Sequence, residues 1–437
     1  MEFLQYEKVV PMGELGRRIH TCRTRLSDPV YSAETVIEKS RNQNAGCPGE
    51  WEGRTLLARV MMAKVGGQSV EDPYTFLSVL EGHLNSDGYW GELMDRSAVD
   101  ERQLAGNSWY LRALCELCEW NTSGEIKRLI QRITKLYLVR LNGLFEIYPI
   151  DREEKRDNPG GEADPGWRLS SDPGCAFTMI DGASHAYHLL RSARLYPVLV
   201  SMIRRFSQTY TDEMPGPLDI ALPALRGMIR FYGDVGEPWL LQESIRLFKA
   251  CMAQGASDPM AVTDLYPAAM ELWRHTRCSC YLKKAHQLLY RTLRCKGSLN
   301  NAGSASDNGE SYRLLREADL LANAAIHMAA LEKGVIYLPI YQTGSFCGDT
   351  VSIQETSGYP DAGEVTLEIT SSVRSPREIR LFCPIQVETY RIYSDDAALS
   401  GERDGCFISL SGPFTVGQRI TVFMDYPQGV SPVFPEK

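Results

Sequence analysis

The sequence predicts a mainly α-helical protein, an (α/α)6 barrel followed by a C-terminal antiparallel β-sandwich. Three observations predict this fold class. Apolar residues recur at helical spacing from about residue 50 to 333, they alternate at strand spacing from 334 to 432, and the helices form repeated hairpins. We therefore expect two domains, a barrel with the active-site pocket over 1–333 and a sandwich over 334–437.

Helical periodicity is clearest in the segments 109–120 and 222–232, where apolar residues fall at positions i, i+3, i+4 and i+7. The helices form pairs of one design, in which a short polar loop joins a first helix to a second amphipathic one. Such pairs cover 111–133, 225–248 and 268–290. Helical hairpins bury their apolar faces only by stacking on neighbours, and the chain has room for about six pairs. This length favours a closed toroid over an open solenoid.

Strand periodicity replaces helical periodicity after residue 334. Apolar and polar residues alternate over five short segments, 351–355, 364–370, 378–382, 406–410 and 419–424. Turn sequences such as Asp404-Gly405 and Gly412-Pro413 punctuate this region. Short strands at this spacing are typical of an antiparallel sandwich.

The composition excludes several classes of protein. The 437 residues carry 47 basic and 55 acidic side chains, a net charge of −8, without the basic face that a non-specific nucleic-acid binder needs. No apolar run is long enough for a signal peptide or a membrane span. We expect a cytoplasmic protein with reduced cysteines, a small-molecule substrate, and no nucleic-acid or membrane partner. Whether it forms a homo-oligomer stays open.

Two polar loops rich in Gly, Pro and Asp, 151–171 and 296–310, interrupt the helical region. Loops between the helical pairs of a toroid lie at its rim, where pockets are lined. A tryptophan in such a loop is expected to stack on a flat ligand such as a sugar ring. Trp167, with Arg168 and Asp172 close by, is therefore a candidate for substrate binding.

Polar residues cluster at two predicted helix starts. Glu50 and Glu52 flank Trp51, so they are candidates for catalysis with Trp51 as a substrate contact, or they cap the helix dipole. Gln103 and Asn107 lie on one helix face and are substrate-binding candidates, with a satisfied capping box as the alternative.

Asp181 and His185 are the richest pair of catalytic candidates. They lie four residues apart on a helix whose face is otherwise apolar, so they can hydrogen-bond and face one cavity, either as acid and base or as a buried structural pair. Asp258, at another predicted helix start, is a further catalytic candidate. No nucleophile elbow, His-Glu-x-x-His, Walker or Rossmann motif is present. With these motifs absent, the remaining kind of catalysis is acid–base catalysis without a cofactor.

Several segments resemble the β-L-arabinofuranosidase-like glycoside hydrolases of family 127. The resemblance rests on motifs at 49–58, 100–114, 167–177, 181–187, 334–341, 354–365 and 417–422, and it covers nearly the whole chain. It implies an (α/α)6 barrel with a β-sandwich and, as the reaction, glycoside hydrolysis.

The sequence departs from this family where the family holds its zinc and its cysteine nucleophile. The resemblance places the Glu-x-Cys motif at Asp258-Pro259-Met260 and the later cysteine pair near Tyr312 and Arg313. The loop before Asp258 looks shortened, and Asn107 stands where a histidine is common. Because zinc favours thiolate ligands, we expect no metal and no other cofactor.

Together these features predict a metal-independent enzyme that uses carboxylate and histidine acid–base chemistry on a small polar or cyclic substrate in the barrel pocket. Glycoside hydrolysis is the reaction that the resemblance implies. Two alternatives stay open: a repurposed dehydratase, isomerase or cyclase of secondary metabolism, and a non-catalytic ligand-binding relative.

Overall fold

The computed structural model describes residues 1–42, 46–67, 69–95, 98–150, 166–211, 216–256, 258–294, 308–348, 351–372 and 376–426. Most of the two polar loops singled out above, residues 151–165 and 296–307, lies outside these ranges. Their expected place at a pocket rim therefore stays a prediction.

The helical part of the described chain contains thirteen α-helices, besides five short 3-10 helices. They are α1 (Gly13–Leu26), α2 (Ala33–Asn42), α3 (Glu50–Val65), α4 (Glu71–Glu81), α5 (Glu101–Trp120), α6 (Gly124–Leu136), α7 (Met179–Leu190), α8 (Leu195–Thr209), α9 (Leu218–Val235), α10 (Pro238–Gly255), α11 (Pro259–Thr276), α12 (Ser279–Arg294) and α13 (Asn308–Ile326). The predicted hairpins correspond to the pairs α5/α6, α9/α10 and α11/α12.

Six of these helices form a closed ring. Helix α3 packs on α5, α5 on α7, α7 on α9, α9 on α11, α11 on α13, and α13 returns to α3. Helices α1, α4, α6, α8, α10 and α12 each pack on a member of this ring. The ring helices carry charged residues toward a shared axis, as the site geometry below shows.

The two kinds of helix differ in sequence. In α6 only one stripe is apolar, and Ile126, Ile130 and Ile133 are buried while lysines and arginines cover the other face. In α3 nearly every side chain is buried, including the polar Arg54 and Lys64. A helix of the ring is covered by its outer partners and by its two neighbours in the ring, which explains why it needs no polar outer face.

The ring helices approach one another closely at glycines. A Cβ atom at Gly53 would lie 2.2 Å from the backbone nitrogen of Tyr110, and one at Gly182 would lie 2.6 Å from the carbonyl oxygen of Ser108. Both contacts are with backbone, which cannot rotate away as a side chain can. Glycine therefore sets the spacing of α5 from α3 and from α7.

The strands are short. They are β1 (Glu2–Phe3), β2 (Val9–Pro11), β3 (Ala98–Asp100), β4 (Gly166–Arg168), β5 (Ala330–Glu332), β6 (Val335–Leu338), β7 (Gly344–Cys347), β8 (Val351–Ser357), β9 (Glu364–Ser372), β10 (Glu378–Phe382), β11 (Thr389–Ser394), β12 (Ala397–Ala398), β13 (Glu402–Asp404), β14 (Phe407–Ser411) and β15 (Arg419–Asp425).

Most of these strands form two sheets. One has the order β1-β5-β6-β10-β14-β13 and the other the order β12-β11-β15-β9-β8-β7-β2. Their apolar residues join those of the helices in one hydrophobic core. The predicted change from helices to antiparallel strands is confirmed, although β6 pairs with β10 in parallel.

The N-terminal residues contribute to these sheets. Strand β1 pairs with β5, and β2 pairs with β7. Both lie within 1–333, the range that the sequence analysis gave to the helical domain. Strands β1 and β2 join the sheets by pairing with strands that are far away in the sequence, and a local sequence pattern does not show such pairing.

The described residues include no helix that is both long and apolar enough to cross a lipid bilayer.

Candidate functional site

A cluster of charged side chains occupies the axis of the ring, and every ring helix contributes to it. We call this cluster the axial ion network; it consists of Arg54, Arg112, Asp181, Arg226, Arg230, Asp264, Arg316 and Asp319. Each ring helix brings one or two of these charged side chains to the interior of the ring.

Asp181 is the centre of the network. The Nε and Nη2 atoms of Arg226 lie 3.0 and 2.5 Å from its Oδ2, and Nη1 of Arg230 lies 2.8 Å from its Oδ1. Arg112 approaches to 3.7 Å. Burial acts to raise the pKa of Asp181, but the three guanidinium groups outweigh it and hold that pKa far below its usual range. Asp181 is therefore a fixed negative charge rather than a general acid.

The other acids of the network are paired in the same way. Nη2 of Arg112 lies 2.9 Å from each carboxylate oxygen of Asp319, a bifurcated contact from a single nitrogen. Asp264 accepts a hydrogen bond from Arg226, and Nη2 of Arg316 lies 3.2 Å from its other oxygen. Burial opposes ionisation of Asp264, yet Arg226 and Arg316 hold its pKa below the usual value.

A cavity of about 280 Å³ lies beside this network, toward the C-terminal ends of the ring helices. Its charged lining includes Glu116, Glu119, His185, His188, Arg230, Asp234, Glu271 and Arg274. Its volume is close to the lower end of the range of small-molecule sites, about 300–1,000 Å³. We call it the axial cavity.

Two imidazoles and two carboxylates form a chain along its wall. Nδ1 of His188 lies 2.7 Å from Oδ1 of Asp234, and Nε2 of His188 lies 3.8 Å from Oε1 of Glu119. The same Glu119 oxygen lies 2.9 Å from Nε2 of His185. Asp234 thereby fixes the orientation of His188 and leaves its second nitrogen facing Glu119.

The ionisation states of this chain differ. The hydrogen bond to Asp234 is the main reason why the pKa of His188 is raised above its usual value. Burial favours the neutral form of Glu119, but the His185 imidazole outweighs it and holds the pKa of Glu119 below its usual value. The chain therefore combines a proton donor with a proton acceptor on one cavity wall.

The same wall contains a group of potential metal ligands. One atom from each of Glu116, Glu119 and His185 lies within 4.8 Å of the others. However, Nζ of Lys64 lies 2.7 Å from Oε2 of Glu116, in a buried ion pair. A divalent cation would have to share that carboxylate with an ammonium group. The expectation of a protein without metal stays a prediction.

Asp181 and His185 do not form a hydrogen-bonded pair in the structure. Their spacing allows a hydrogen bond between them, but Asp181 contacts the arginines while Nε2 of His185 contacts Glu119. His185 lines the axial cavity and Asp181 belongs to the network beside it. Each of the two side chains binds a residue of a neighbouring helix, and the sequence pattern does not show which residue that is.

Asp258 has a local structural role. It is exposed, and its side chain accepts a hydrogen bond from the backbone N–H of Met260 at 2.8 Å, so it is the N-cap of α11. Pro259 follows at the first helical position, which is typical of helix starts. The structure brings Asp258 to a helix terminus and not to the axial cavity.

Glu50 and Trp51 belong to an aromatic and ionic cluster at the N-terminal end of α3. Glu50 accepts hydrogen bonds from Arg54 and from the hydroxyl of Tyr312. The ring of Trp51 contacts Tyr312 edge to face, with Nζ of Lys39 4.3 Å from its centroid. Tyr312 is one of the residues that the resemblance places at a zinc-ligand position, and here it fills that region with an aromatic ring.

Gln103 and Asn107 hold one turn in place. The side-chain oxygen of Asn107 accepts from the N–H of Trp90 at 2.8 Å and its nitrogen donates to the Trp90 carbonyl at 2.9 Å. Gln103 makes the corresponding pair of bonds to Glu92 at 3.0 and 2.8 Å. The turn brings Trp90 to the pocket that Glu52 also lines. Asp100 is the N-cap of α5, and its side chain accepts from the backbone N–H groups of Arg102 and Gln103. The Gln103 side chain bonds Glu92, so it does not complete a capping box with Asp100.

Trp167 does not have the position expected of a residue that stacks on a flat ligand. It is 0% exposed, donates from its indole nitrogen to the carbonyl of Leu144 at 3.0 Å, and packs edge to face on Phe145 and Tyr148. It is a core residue, because β4 carries it inward, and it is not among the residues that line the axial cavity.

Its neighbours Arg168 and Asp172 lie at the surface. The exposed Arg168 side chain lies 3.3 Å from Glu92, and the exposed Asp172 forms a turn with Ser170. Neither residue lines the axial cavity.

The sequence analysis missed Glu119, His188, Asp234, Arg226 and Arg230. Some signals were present, since Arg226 and Arg230 are four residues apart on α9 and His188 lies three residues after His185. A single helix does not show which of its charged faces meets the charged faces of others. Only closure of the ring brings these five residues together.

No family model matches this chain, and no curated protein matches it. Solved structures do. A protein described as a glycoside hydrolase superposes with a TM-score of 0.62 at 11% identity, covering 98% of this chain and 78% of its own. A GH127 β-arabinofuranosidase gives 0.64 at 10%, covering 97% and 80%.

A GH127 β-L-arabinofuranosidase from Geobacillus stearothermophilus T6 gives a TM-score of 0.63 at 10% identity, covering 96% of this chain and 82% of its own. At such identities the likeness concerns the fold alone. The chain therefore has a fold like that of the GH127 glycoside hydrolases, with a helix-rich core and C-terminal antiparallel sheets.

Proposed function

We propose that this protein is an enzyme that transfers protons to and from a small polar substrate in the axial cavity. The observation that carries the proposal is the chain Asp234, His188, Glu119 and His185 along one cavity wall. It pairs a histidine of raised pKa with a carboxylate of lowered pKa. Acid–base catalysis needs a donor and an acceptor within reach of one substrate.

The scaffold in this proposal is an (α/α)6 barrel with a β-sandwich. Helices α3, α5, α7, α9, α11 and α13 would be its inner layer, and the order of their contacts supports this assignment. Met260, Tyr312 and Arg313 would replace the zinc site of the family that the sequence resembles. Asp181 of the axial ion network would hold Arg230 in position, and Glu119 would hold His185.

Isomerisation or epimerisation is the reaction class that this geometry favours. Such reactions remove a proton from carbon and return one, and the two imidazoles with Glu119 between them supply both functions. The nearby carboxylates are each engaged with a cation or an imidazole, as Glu271 is with Arg274 at 2.5 Å. A hydrolase of the usual kind would need a free pair of carboxyl groups instead.

Glycoside hydrolysis is the second candidate, because the chain shares the fold of GH127 enzymes. The acids at the N-terminal ends of the ring helices, Glu50 and Glu52, are its catalytic candidates. Glu50 is engaged with Arg54 and Tyr312, which makes it a weaker candidate than Glu52.

The experiment that tests the proposal uses proton NMR in D2O with a panel of reducing aldoses, ketoses and sugar acids. We expect wild-type protein to exchange a carbon-bound hydrogen of at least one panel member for deuterium. His185→Gln and His188→Gln should lower the exchange rate by about 100-fold or more, as expected for loss of a general acid or base. His20→Gln, at an exposed histidine of α1, is the matched control and should leave the rate unchanged.

The second candidate is tested on the same preparations with aryl glycosides, including arabinofuranosides. Release of the aryl group without deuterium exchange, insensitive to both histidine substitutions, would contradict the proposal and support hydrolysis. Exchange that persists in both variants would also contradict it.

A further inference from the structure

A second pocket lies away from the axial cavity, between α2 and the N-terminal ends of α3 and α5. Its volume is about 380 Å³, within the range of small-molecule sites. Its polar lining includes Ser40, Arg41, Glu52, His83, Trp90 and Arg102. We call it the Glu52 pocket.

Two buried polar atoms in its lining have no hydrogen-bond partner among the residues that the structure describes. They are Oε2 of Glu52 and the indole nitrogen Nε1 of Trp90. Glu52 is 1% exposed and Trp90 is 7% exposed. A buried polar group without a partner costs about 1–3 kcal/mol, so such groups are usually satisfied by water or by a ligand. Two of them in one pocket point to a polar ligand.

The surrounding structure holds Trp90 in place. Asn107 binds both backbone groups of Trp90, as described above. Gly49 has a φ of +88°, and a Cβ at this position would lie 2.7 Å from Cδ1 of Trp90. Any other residue at 49 would displace the indole ring. A side chain fixed this firmly, with its donor unpaired, is prearranged for a ligand acceptor.

The charge of the pocket indicates the ligand's sign. Arg41 from α2 and Arg102 from α5 bring two positive charges, and Nη2 of Arg41 lies 2.8 Å from Nδ1 of His83. The lining also contains the side chain of Asp100, whose Oδ1 already accepts hydrogen bonds from the backbone N–H groups of Arg102 and Gln103. Burial raises the pKa of Glu52 to about 7, with a hydrogen bond from Ser40 and the charge of Arg41 acting against this rise.

We propose that the Glu52 pocket binds a small carboxylate, with Arg41 and Arg102 as its charge partners and Trp90 and Glu52 as hydrogen-bond donors. Arginine suits a carboxylate because its planar N–H groups match the two oxygens. A neutral Glu52 carboxyl can donate to the ligand, whereas an ionised one repels it. Binding therefore takes up a proton or needs one already present.

This requirement predicts the pH dependence of binding. The groups that face Glu52 are Ser40 and Arg41 on α2, Glu50 on its own helix, and Asp100, Arg102 and His83 around the pocket. With a Glu52 pKa of about 7, about nine tenths of the molecules carry a neutral carboxyl at pH 6 and about one tenth at pH 8. Carboxylate affinity should accordingly fall about tenfold between these pH values.

Isothermal titration calorimetry of the full chain tests the proposal, with glycolate, lactate, pyruvate and glucuronate as probes at pH 6 and pH 8. We expect at least one of these carboxylates to bind more tightly at pH 6, while lactamide and inorganic phosphate bind more weakly than it does. Glu52→Gln should remove the difference between the two pH values. Trp90→Phe and Arg102→Gln should each weaken binding by about tenfold, the effect expected of one lost hydrogen bond or ion pair. Arg391→Gln, at an exposed arginine of β11 outside the lining, is the matched control.

Several results would overturn the proposal: no binding of any probe carboxylate, tighter binding of phosphate or lactamide, or an unchanged pH dependence in Glu52→Gln. Carbon-13 NMR of wild-type Glu52 gives a readout that does not depend on a folded variant, since a bound carboxylate should raise the pKa of Glu52 further. Neither measurement involves the axial cavity, so its outcome is independent of the proton-transfer proposal.

Discussion

At the scale of the residue, Asp181 shows how burial and partners decide a role. A carboxylate four residues from a histidine on a helix is equally consistent with acid–base catalysis and with a structural ion pair. In the folded protein two arginines donate hydrogen bonds to its oxygens and a third lies within 3.7 Å. These partners keep Asp181 ionised across the physiological pH range. We therefore assign Asp181 a structural role.

Replacement of Asp181 by asparagine should destabilise the protein by about 3–5 kcal/mol, because it leaves buried arginine charges without their partner. Urea unfolding at pH 7 measures this loss. Asp258→Asn is the matched control, since asparagine caps a helix as well as aspartate does, and it should change stability by less than about 0.5 kcal/mol.

The pH dependence of this effect has a definite sign. The pKa of Asp181 is lowered in the folded protein, so its stabilisation is present above the unfolded pKa, about 3.9, and is lost as pH falls below it. Wild type should therefore lose more stability between pH 6 and pH 3 than Asp181→Asn loses. Equal losses in both proteins would contradict this assignment.

At the scale of the element, the ring helices are distinguished by where small residues lie. Gly53 on α3 faces the backbone of α5 at a distance that leaves no room for a methyl group. The outer helix α6 has no such constraint at Gly124, where an added Cβ would meet only Nη1 of Arg128 at 3.6 Å. Close helix crossings therefore depend on individual glycines that helix propensity alone would disfavour.

Gly53→Ala should destabilise the protein by about 3 kcal/mol, because the methyl group must push two backbones apart. Gly124→Ala should be neutral or stabilising by about 0.5–1 kcal/mol, since alanine is the better helix former. Thermal or chemical unfolding of the two variants compares them directly. A larger loss for Gly124→Ala than for Gly53→Ala would contradict the helix spacing described here.

At the scale of the whole molecule, the charged groups concentrate on the axis of a ring that lies alongside two sheets. This arrangement places the axial cavity between helices that are far apart in sequence, from Glu116 on α5 to Arg274 on α11. The Glu52 pocket lies apart from it, near the N-terminal ends of α3 and α5. One fold thus carries two chemically different pockets.

Metal content is a property of the whole molecule and has a direct test. We expect purified protein to contain zinc at well below one ion per chain, and its thermal unfolding temperature to stay unchanged after dialysis against EDTA. The physical reason is that Lys64 occupies the carboxylate of Glu116, while Met260 and Tyr312 stand where the resemblance places thiolates. Stoichiometric zinc by elemental analysis would show that this expectation is wrong.

The sequence by itself determined the succession of helices and strands, because periods of 3.6 and 2 are local properties of the chain. It also identified Glu52, His185, Gln103 and Asn107 as polar residues at special positions. It could not decide between catalysis and structure for them, since both place polar groups on one helix face.

Only the tertiary structure decided which charges meet. Closure of the ring joins Asp181 to arginines of α5 and α9 and joins His185 to Glu119. Packing on Phe145 and Tyr148 buries Trp167 in the core. Asn107 proves to hold Trp90 beside Glu52, a contact between segments that no local pattern links. The energy of a buried charge depends on its partners and its solvation, and both are fixed by the packing of distant segments.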